Sequence, residues 1–489
     1  MKDFYLFTTI YDLRYTVVKV GRRPLAAPAK MPVPAPAAPE PPVRFNWAFY
    51  RTALVIGLPV IISHLVSISL NMIDTMMIGR VGVDELSAVG AANRVYVIYA
   101  TMIYGFFSGA AILISQYWGV KDVANIRRIT GIEYIFAAGL ALFTMLLTGF
   151  FPMRIIDLFS DEPKVIALGA EYLRIVLWSY LFTALSAVIS FTSRCIHRLV
   201  WPTAISCLAV AVNTFFNYCL IYGNFGFPCL GVRGAAIATL MARVLEFALM
   251  AAYVYLSHDH PLAGRLREFL SFDRDLLRRV FRKAVPTTAS EMAWSVGTSV
   301  YFVAFGKTGP SALAVAQACS VISDLSLSFF YGVGNACAVM IGNELGRRHK
   351  ETAFAYAKHF IKIVLAICLV VTAVFYFSLP PIVKLYRFDP TTAALLYNTL
   401  LVYVIFTTPR SLTYTLMLGV LRAGGDATYC MILDVAGIWG LGVPLAFIGA
   451  CALGWTLPAV VALTFIEEVI KTFICFRRLR GRKWASVLI

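Results

Sequence analysis

Runs of roughly 20 to 30 apolar residues, separated by short polar connections, recur along the chain. Each is long enough to cross a hydrocarbon layer of about 30 Å as a helix. The runs fall at about 49–78, 87–117, 129–151, 165–193, 200–222, 232–256, 284–305, 313–345, 352–379, 392–420, 428–450 and 455–476. The connections between them are too short to fold as separate nucleotide-binding or catalytic domains. The pattern predicts an all-α polytopic membrane protein with twelve transmembrane helices.

The pattern is also written twice. Shifting the sequence by 227 positions places Gly79 on Gly306, Gly82 on Gly309, Leu86 on Leu313, Ala91 on Ala318, Tyr104 on Tyr331, Gly105 on Gly332, Ala111 on Ala338, Ile114 on Ile341 and Gly119 on Gly346. The same shift pairs Pro59 with Pro286, and one residue more pairs Arg194 with Arg422. Six spans per half is an even number, so both halves enter from the same face and the internal repeat is parallel. The expected organisation is a Pro/Ala-rich leader (1–47), an N-lobe with spans one to six (48–256), a basic linker (257–283), a C-lobe with spans seven to twelve (284–476) and a basic tail (477–489).

Composition sharpens this picture. The chain has 489 residues, of which 60% are hydrophobic and only 14% charged, which excludes an ordinary water-soluble globule. The net charge of +17 could suggest nucleic acid, but its distribution says otherwise. Basic residues gather in alternate connections: in the leader, at Lys121 to Arg128, from Arg265 to Lys283, at Arg347 to Lys350 and from Arg477 to Lys483. The other side holds scattered ones such as Arg80, Arg154, Lys164, Arg233, Lys307, Lys384 and Arg387. By the positive-inside bias both termini are cytoplasmic in a plasma (inner) membrane, and the excess charge meets membrane lipids, with no nucleic acid as partner. The ten cysteines lack a CxxC pair and read as small packing residues, so neither a metal nor a disulfide framework is expected.

Polar groups inside apolar helices are costly and so are the candidates for function. Ser63, Ser67, Asn71 and Asp74 fall within an arc of about 80° on span one, with His64 beside them. Span five repeats the device with Thr203, Ser206, Asn213 and Asn217, and span seven with Thr287, Glu291, Ser295 and Thr298. Such stripes must face the bundle interior or a watered cavity. Their carboxylate, amide and hydroxyl oxygens suit Na⁺, and a lone carboxylate can instead carry a proton. Asp74 with Asn213 and Asn217 fits either use, while Asp324 and Asp434 are candidates to join Glu291 in a second, C-lobe site. Glu171 and Arg174 are expected to pair with each other, as are Arg243 and Glu246, and Glu467 and Glu468 to balance Lys471. Pro59 removes a helix hydrogen bond fifteen residues before Asp74, so a bend there could couple ion occupancy to cavity shape.

Duplicated bundles without a Walker A loop point to a secondary transporter working by alternating access, not to an enzyme. No cofactor is expected beyond a coupling ion, H⁺ or Na⁺, and a monomer should suffice. Pro59-(x14)-Asp74-Thr75-(x3)-Gly79, Leu86-Ser87-Ala88-Val89-Gly90, Asn213-(x3)-Asn217, the run Gly231 to Thr239, and Leu421-Arg422-Ala423-Gly424-Gly425-Asp426 together resemble the multidrug and toxic compound extrusion (MATE) family over about residues 48–483. The resemblance implies a two-lobed antiporter that exports organic, often cationic, drugs. It carries the family's N-lobe cation site onto Asp74, Asn213, Asn217 and Thr239, although an acid often stands where this chain has Asn217. It also carries the seventh-span acid of sodium-driven members onto Glu291. Their tenth-span aspartate falls on Ser411 here, which leaves Asp324 or Asp434 as substitutes. The rival reading is a lipid-linked glycan flippase of the same two-lobe plan, which would need several Arg or Lys in its cavity.

Overall fold

Each apolar run becomes one long helix. The structure, a computed structural model, describes residues 45, 47–160, 162–257, 260–309, 311–386 and 388–489; the leader 1–44, Asn46, Asp161, His258, Asp259, Pro310 and Arg387 lie outside the described residues. The helices are α1 (Trp47–Gly79), α2 (Val83–Gly119), α3 (Val123–Phe150), α4 (Pro163–Cys195), α5 (Val200–Tyr222) and α6 (Val232–Leu256). The second half repeats them as α7 (Arg274–Gly306), α8 (Ala312–Gly346), α9 (Lys350–Leu385), α10 (Pro390–Arg422), α11 (Ala427–Ala452) and α12 (Leu457–Arg480). No strand occurs among the described residues. Ten of the twelve are apolar and long enough to span a membrane by composition; α7 and α12, which carry more polar and charged residues, fall short of that measure.

Two expected boundaries shift. The stretch 257–283 is linker only in part, because α7 begins at Arg274. Asp273 starts it by accepting a hydrogen bond from the Leu276 amide at 3.0 Å, the usual chemistry of an N-cap. The tail expected from 477 begins inside a helix, since α12 runs to Arg480. Beyond it the chain folds back: Trp484 is fully buried, and the Ser486 amide donates to the Gly424 carbonyl at 3.0 Å.

The two halves exchange their first helices. The N-lobe core, built around Ile103, Phe107, Ile132, Leu173 and Val188, also contains Leu276, Val280 and Ala284 from the start of α7. A C-lobe core around Phe330, Ile341, Phe360 and Leu416 contains Phe49 and Ile56 from the start of α1. Each first helix therefore straddles the two lobes. At 33 residues, about 50 Å at 1.5 Å per residue, α1 and α7 are long enough to be anchored in both.

Glycines permit the crossings. A Cβ on Gly57 of α1 would stand 3.0 Å from the Gly332 carbonyl oxygen of α8; one on Gly109 of α2 would stand 2.7 Å from the Ala284 amide of α7. These contacts join repeat-equivalent helix pairs, and small residues at such positions let helix backbones touch. The ends of α2 and α8 meet in the same reciprocal way, Gly119 against the Asn343 carbonyl and Gly346 against that of Gln116. That meeting point lies on the face carrying the connections 120–122, 196–199, 347–349 and 423–426, here termed the basic face. The lobes are closed against each other there.

Candidate functional site

The polar stripe of α1 meets the asparagines of α5 and the threonine of α6. Asp74 Oδ1 accepts from the Asn217 amide at 2.9 Å. With its amide oriented to satisfy both ends, Asn213 donates to Asp74 Oδ2 at 3.0 Å and accepts from the Thr239 backbone amide at 3.2 Å. Each carboxylate oxygen is thus held by one asparagine. Helical geometry makes this possible: Asn213 and Asn217 are one turn apart, so both amides reach the same point on the neighbouring helix. Asn217 Oδ1 is buried and has no hydrogen-bond partner among the described residues.

This cluster forms part of the wall of a cavity of about 510 Å³ enclosed by α1, α2, α4, α5 and α6. Ser67 and Asn71 line it with Asp74, as do Tyr96, Tyr172, Tyr180 and Arg243. Ser63 is not among its lining residues. The cavity belongs to the N-lobe. Between the lobes near the basic face lies a pocket of about 50 Å³, lined by the repeat partners Arg194 and Arg422 among others. Arg194 crosses the interface to donate to Asn335 Oδ1 at 2.6 Å.

The C-lobe does not assemble the three carboxylates expected of it. Glu291 and Asp434 come together, but through Arg422, which lies 2.5 Å from Glu291 Oε1 and 3.3 Å from Asp434 Oδ2. Ser290 adds a hydroxyl bonded to Asp434 and accepts from Arg422 at 2.8 Å. Lys471 approaches Asp434 at 3.5 Å and also balances Glu467 and Glu468, at 3.6 and 3.8 Å. Asp324 stands apart: no ion pair or hydrogen bond among the described residues joins it to Glu291 or Asp434, and Arg410 is the cation that acts on it. Arg422 reads from sequence as a loop residue. It is instead the buried last residue of a π-helical turn, Thr415–Arg422, that ends α10. Its pairing with Arg194 in the repeat was the available signal that it points inward.

Of the other expected pairs, Arg243–Glu246 forms at 2.7 Å. Glu171–Arg174 does not: Glu171 pairs with Arg233 at the start of α6, a through-space partner that outcompetes the one-turn neighbour. Glu133, unassigned from sequence, is fully buried and accepts from Thr192 at 3.0 Å. Pro59 lies within a helix that continues through it. The ten cysteines are all free thiols, eight of them at least partly buried. Among the described residues no cluster of His, Cys, Asp and Glu could hold a metal ion.

Comparison with known proteins matches the family model MatE to residues 59–219 and 286–448, one match in each half of the repeat. A probable multidrug resistance protein NorM of Thermotoga maritima is 24% identical over 403 residues, covering 81% of this chain and 85% of that protein. The uncharacterized transporter YisQ of Bacillus subtilis is 22% identical, covering 84% of this chain and 90% of its own length. A solved transporter of the MOP superfamily from Pyrococcus furiosus, described as having a binding pocket of reverse polarity, superimposes with a TM-score of 0.81 at 19% identity over 89% of this chain and 96% of that one.

Proposed function

Because this chain belongs to the MatE family of membrane transporters, we propose that it is a secondary multidrug exporter that moves organic, often cationic, compounds outward in exchange for a coupling cation. One observation carries the reading. Asp74 is the sole carboxylate among the residues that line the 510 Å³ cavity, with both oxygens held by buried asparagines. A negative charge kept at such a depth is expensive unless a cation visits it. A passenger's amine and the coupling ion compete for that one charge, which is the requirement for exchange.

The coupling ion is taken as H⁺. A single proton cancels a single carboxylate, whereas Na⁺ takes a shell of several oxygens, and beyond Asp74 the cluster offers Asn217 Oδ1 as its unpartnered one. The Arg422-bridged acids of the C-lobe then act as internal counter-ions that hold α7, α10 and α11 together, in place of a second exchange site.

Alternating access follows from the exchanged helices. α1 is anchored in the C-lobe core at Ile56 and in the N-lobe core at Ile78, with Pro59 and Asp74 between them. Charge on Asp74 pulls the asparagines of α5 inward, and its neutralisation releases them. Pro59, which lacks an amide donor, is the place where α1 yields, so that occupancy of the site is transmitted to the closure at the basic face. That face is taken as cytoplasmic by the positive-inside bias. A flippase has less support, because the substrate cavity is lined by one basic residue, Arg243, itself paired with Glu246, where a pyrophosphate would call for several.

The test is ethidium efflux from proteoliposomes under separately imposed H⁺ and Na⁺ gradients. Transport should follow the proton gradient and be abolished in Asp74→Asn, and Pro59→Ala should slow it without loss of folded protein. Efflux in Asp74→Asn equal to that of the unaltered protein would overturn the reading.

A further inference from the structure

Two charged side chains front the N-lobe cavity, Asp74 and Arg243, and they are of opposite sign. Arg243 stands one turn beyond Thr239 on α6, so it is aimed at the same space as the Asp74 cluster. Its ion pair is lopsided. Glu246 is 6% exposed and lies behind the wall, its second oxygen taken by the Ser206 hydroxyl at 2.7 Å, whereas the Arg243 side chain is 31% exposed. The acid therefore holds the guanidinium in place from the rear while the front of the fork stays accessible. Of its donors, one nitrogen is committed to Glu246; the remaining two carry no hydrogen bond among the described residues.

The surrounding wall is aromatic. Tyr96 and Tyr180 lie 5.9 Å apart by ring centroids, Tyr172 lines the same space, and the Tyr180 hydroxyl is buried with no partner among the described residues. A flat ring system placed here meets π faces along its body. A simple monocation would satisfy Asp74 and leave its other end against a guanidinium; a simple anion would do the reverse. A molecule with an amine at one end and a carboxylate at the other satisfies both.

We propose that Arg243 is the subsite for an acidic group of the passenger, and that the cavity selects flat aromatic zwitterions, amine toward Asp74 and carboxylate toward Arg243. Carboxylate–guanidinium pairs are directional and charge-assisted, and are strengthened where water is scarce. Glu246 is a positioning residue, and the passenger's carboxylate shares the guanidinium with it. The proposal rests on the reading of this cavity as the substrate site, and its test separates the two.

Proteoliposome efflux would be measured for three probes: norfloxacin, which carries both an amine and a carboxylate; its decarboxylated analogue; and ethidium. In Arg243→Gln the KM for norfloxacin should rise about tenfold while the other two probes change by less than about twofold. Arg243→Lys should recover part of the loss. The double variant Arg243→Gln with Glu246→Gln, which leaves no orphaned acid, should show the same selectivity. Equal losses for all three probes in the double variant, or no change for norfloxacin, would overturn the proposal. Undiminished transport of all probes in Asp74→Asn would instead sink the substrate-site reading.

Discussion

Gln116 and Asn343 hold equivalent positions in the two halves, and each closes the basic face by a different bond. Asn343 Nδ2 meets His197 Nε2 at 2.7 Å. Gln116 instead grips the main chain of the tail, donating to the Ser486 carbonyl at 3.0 Å and accepting from the Leu488 amide at 2.8 Å. The loops they face are themselves equivalent. Each turns through a residue of positive φ, His197 at 61° and Gly425 at 93°. Where the first loop has an imidazole, the second has no side chain at all. The vacated space is taken by the tail, with Trp484 against Gly424 and Leu488 against Gly425.

His197 makes that closure sensitive to acid. Burial, with Lys121 and Arg347 adding to it, pushes its pKa down to about 4. The unfolded value is near 6.5. Between these limits the unfolded chain binds a proton that the folded protein refuses, so stability is intact above about pH 6.5 and falls as the pH drops toward 4. His260, also pushed down to about 4 by burial and Arg198, acts in the same direction. Unfolding midpoints of the purified protein between pH 7.5 and 4.5 should fall with acidification, and the fall should be shallower in His197→Gln. An unchanged slope in a variant lacking both histidines would refute the assignment.

The glycine contacts at the ends of α2 and α8 should be intolerant of any side chain. Gly346→Leu places branched carbon against the Gln116 backbone, where no flexible group can give way. The wedge should hold the basic face open and reduce transport at least about tenfold. Cys195, buried and lining the small interlobe pocket, is the reporter. In a background keeping only that cysteine, maleimide labelling should be slow in the parent and fast in the Leu variant. Equal labelling rates would show that the glycine does not seal the lobes.

Arg422 holds two acids from two other helices, and its loss should be felt as stability. Arg422→Met leaves Glu291 and Asp434 facing each other without their shared cation, a deficit of about 3–5 kcal/mol for a buried pair broken on one side. Adding Glu291→Gln and Asp434→Asn should restore most of it, since neutral groups no longer need the guanidinium. Thermal unfolding in detergent reads both steps. A single variant as stable as the parent, or a triple variant no better than the single, would contradict the bridge.

Much of the architecture was legible because hydrocarbon is a strict solvent. A span must satisfy its backbone internally, so apolar length alone announces a helix, and twelve were announced. The α1 and α5 parts of the Asp74 cluster were legible for a related reason: each lies on a polar stripe of its own helix, and no such stripe can point to lipid, whereas Thr239 came only with the family resemblance. Arg422 escaped because Ala-Gly-Gly-Asp follows it and looks like the start of a loop; the π-helical turn that carries it inward has no local signature. Glu171 was assigned to Arg174 by spacing, yet Arg233 lies closer in space. Asp324 was grouped with Glu291 and Asp434 by residue type, and type does not carry position.

The order of spans, the twofold repeat and the inward stripe of α1 follow from local chemistry: each depends on residues a few positions apart, whose geometry a helix prescribes. Which lobe the starts of α1 and α7 join, which base answers which acid, and what fills the space above Gly425 were decided only in three dimensions. Those outcomes turn on competition among groups hundreds of residues apart, where burial makes the nearest well-oriented partner win and sequence distance carries no energy.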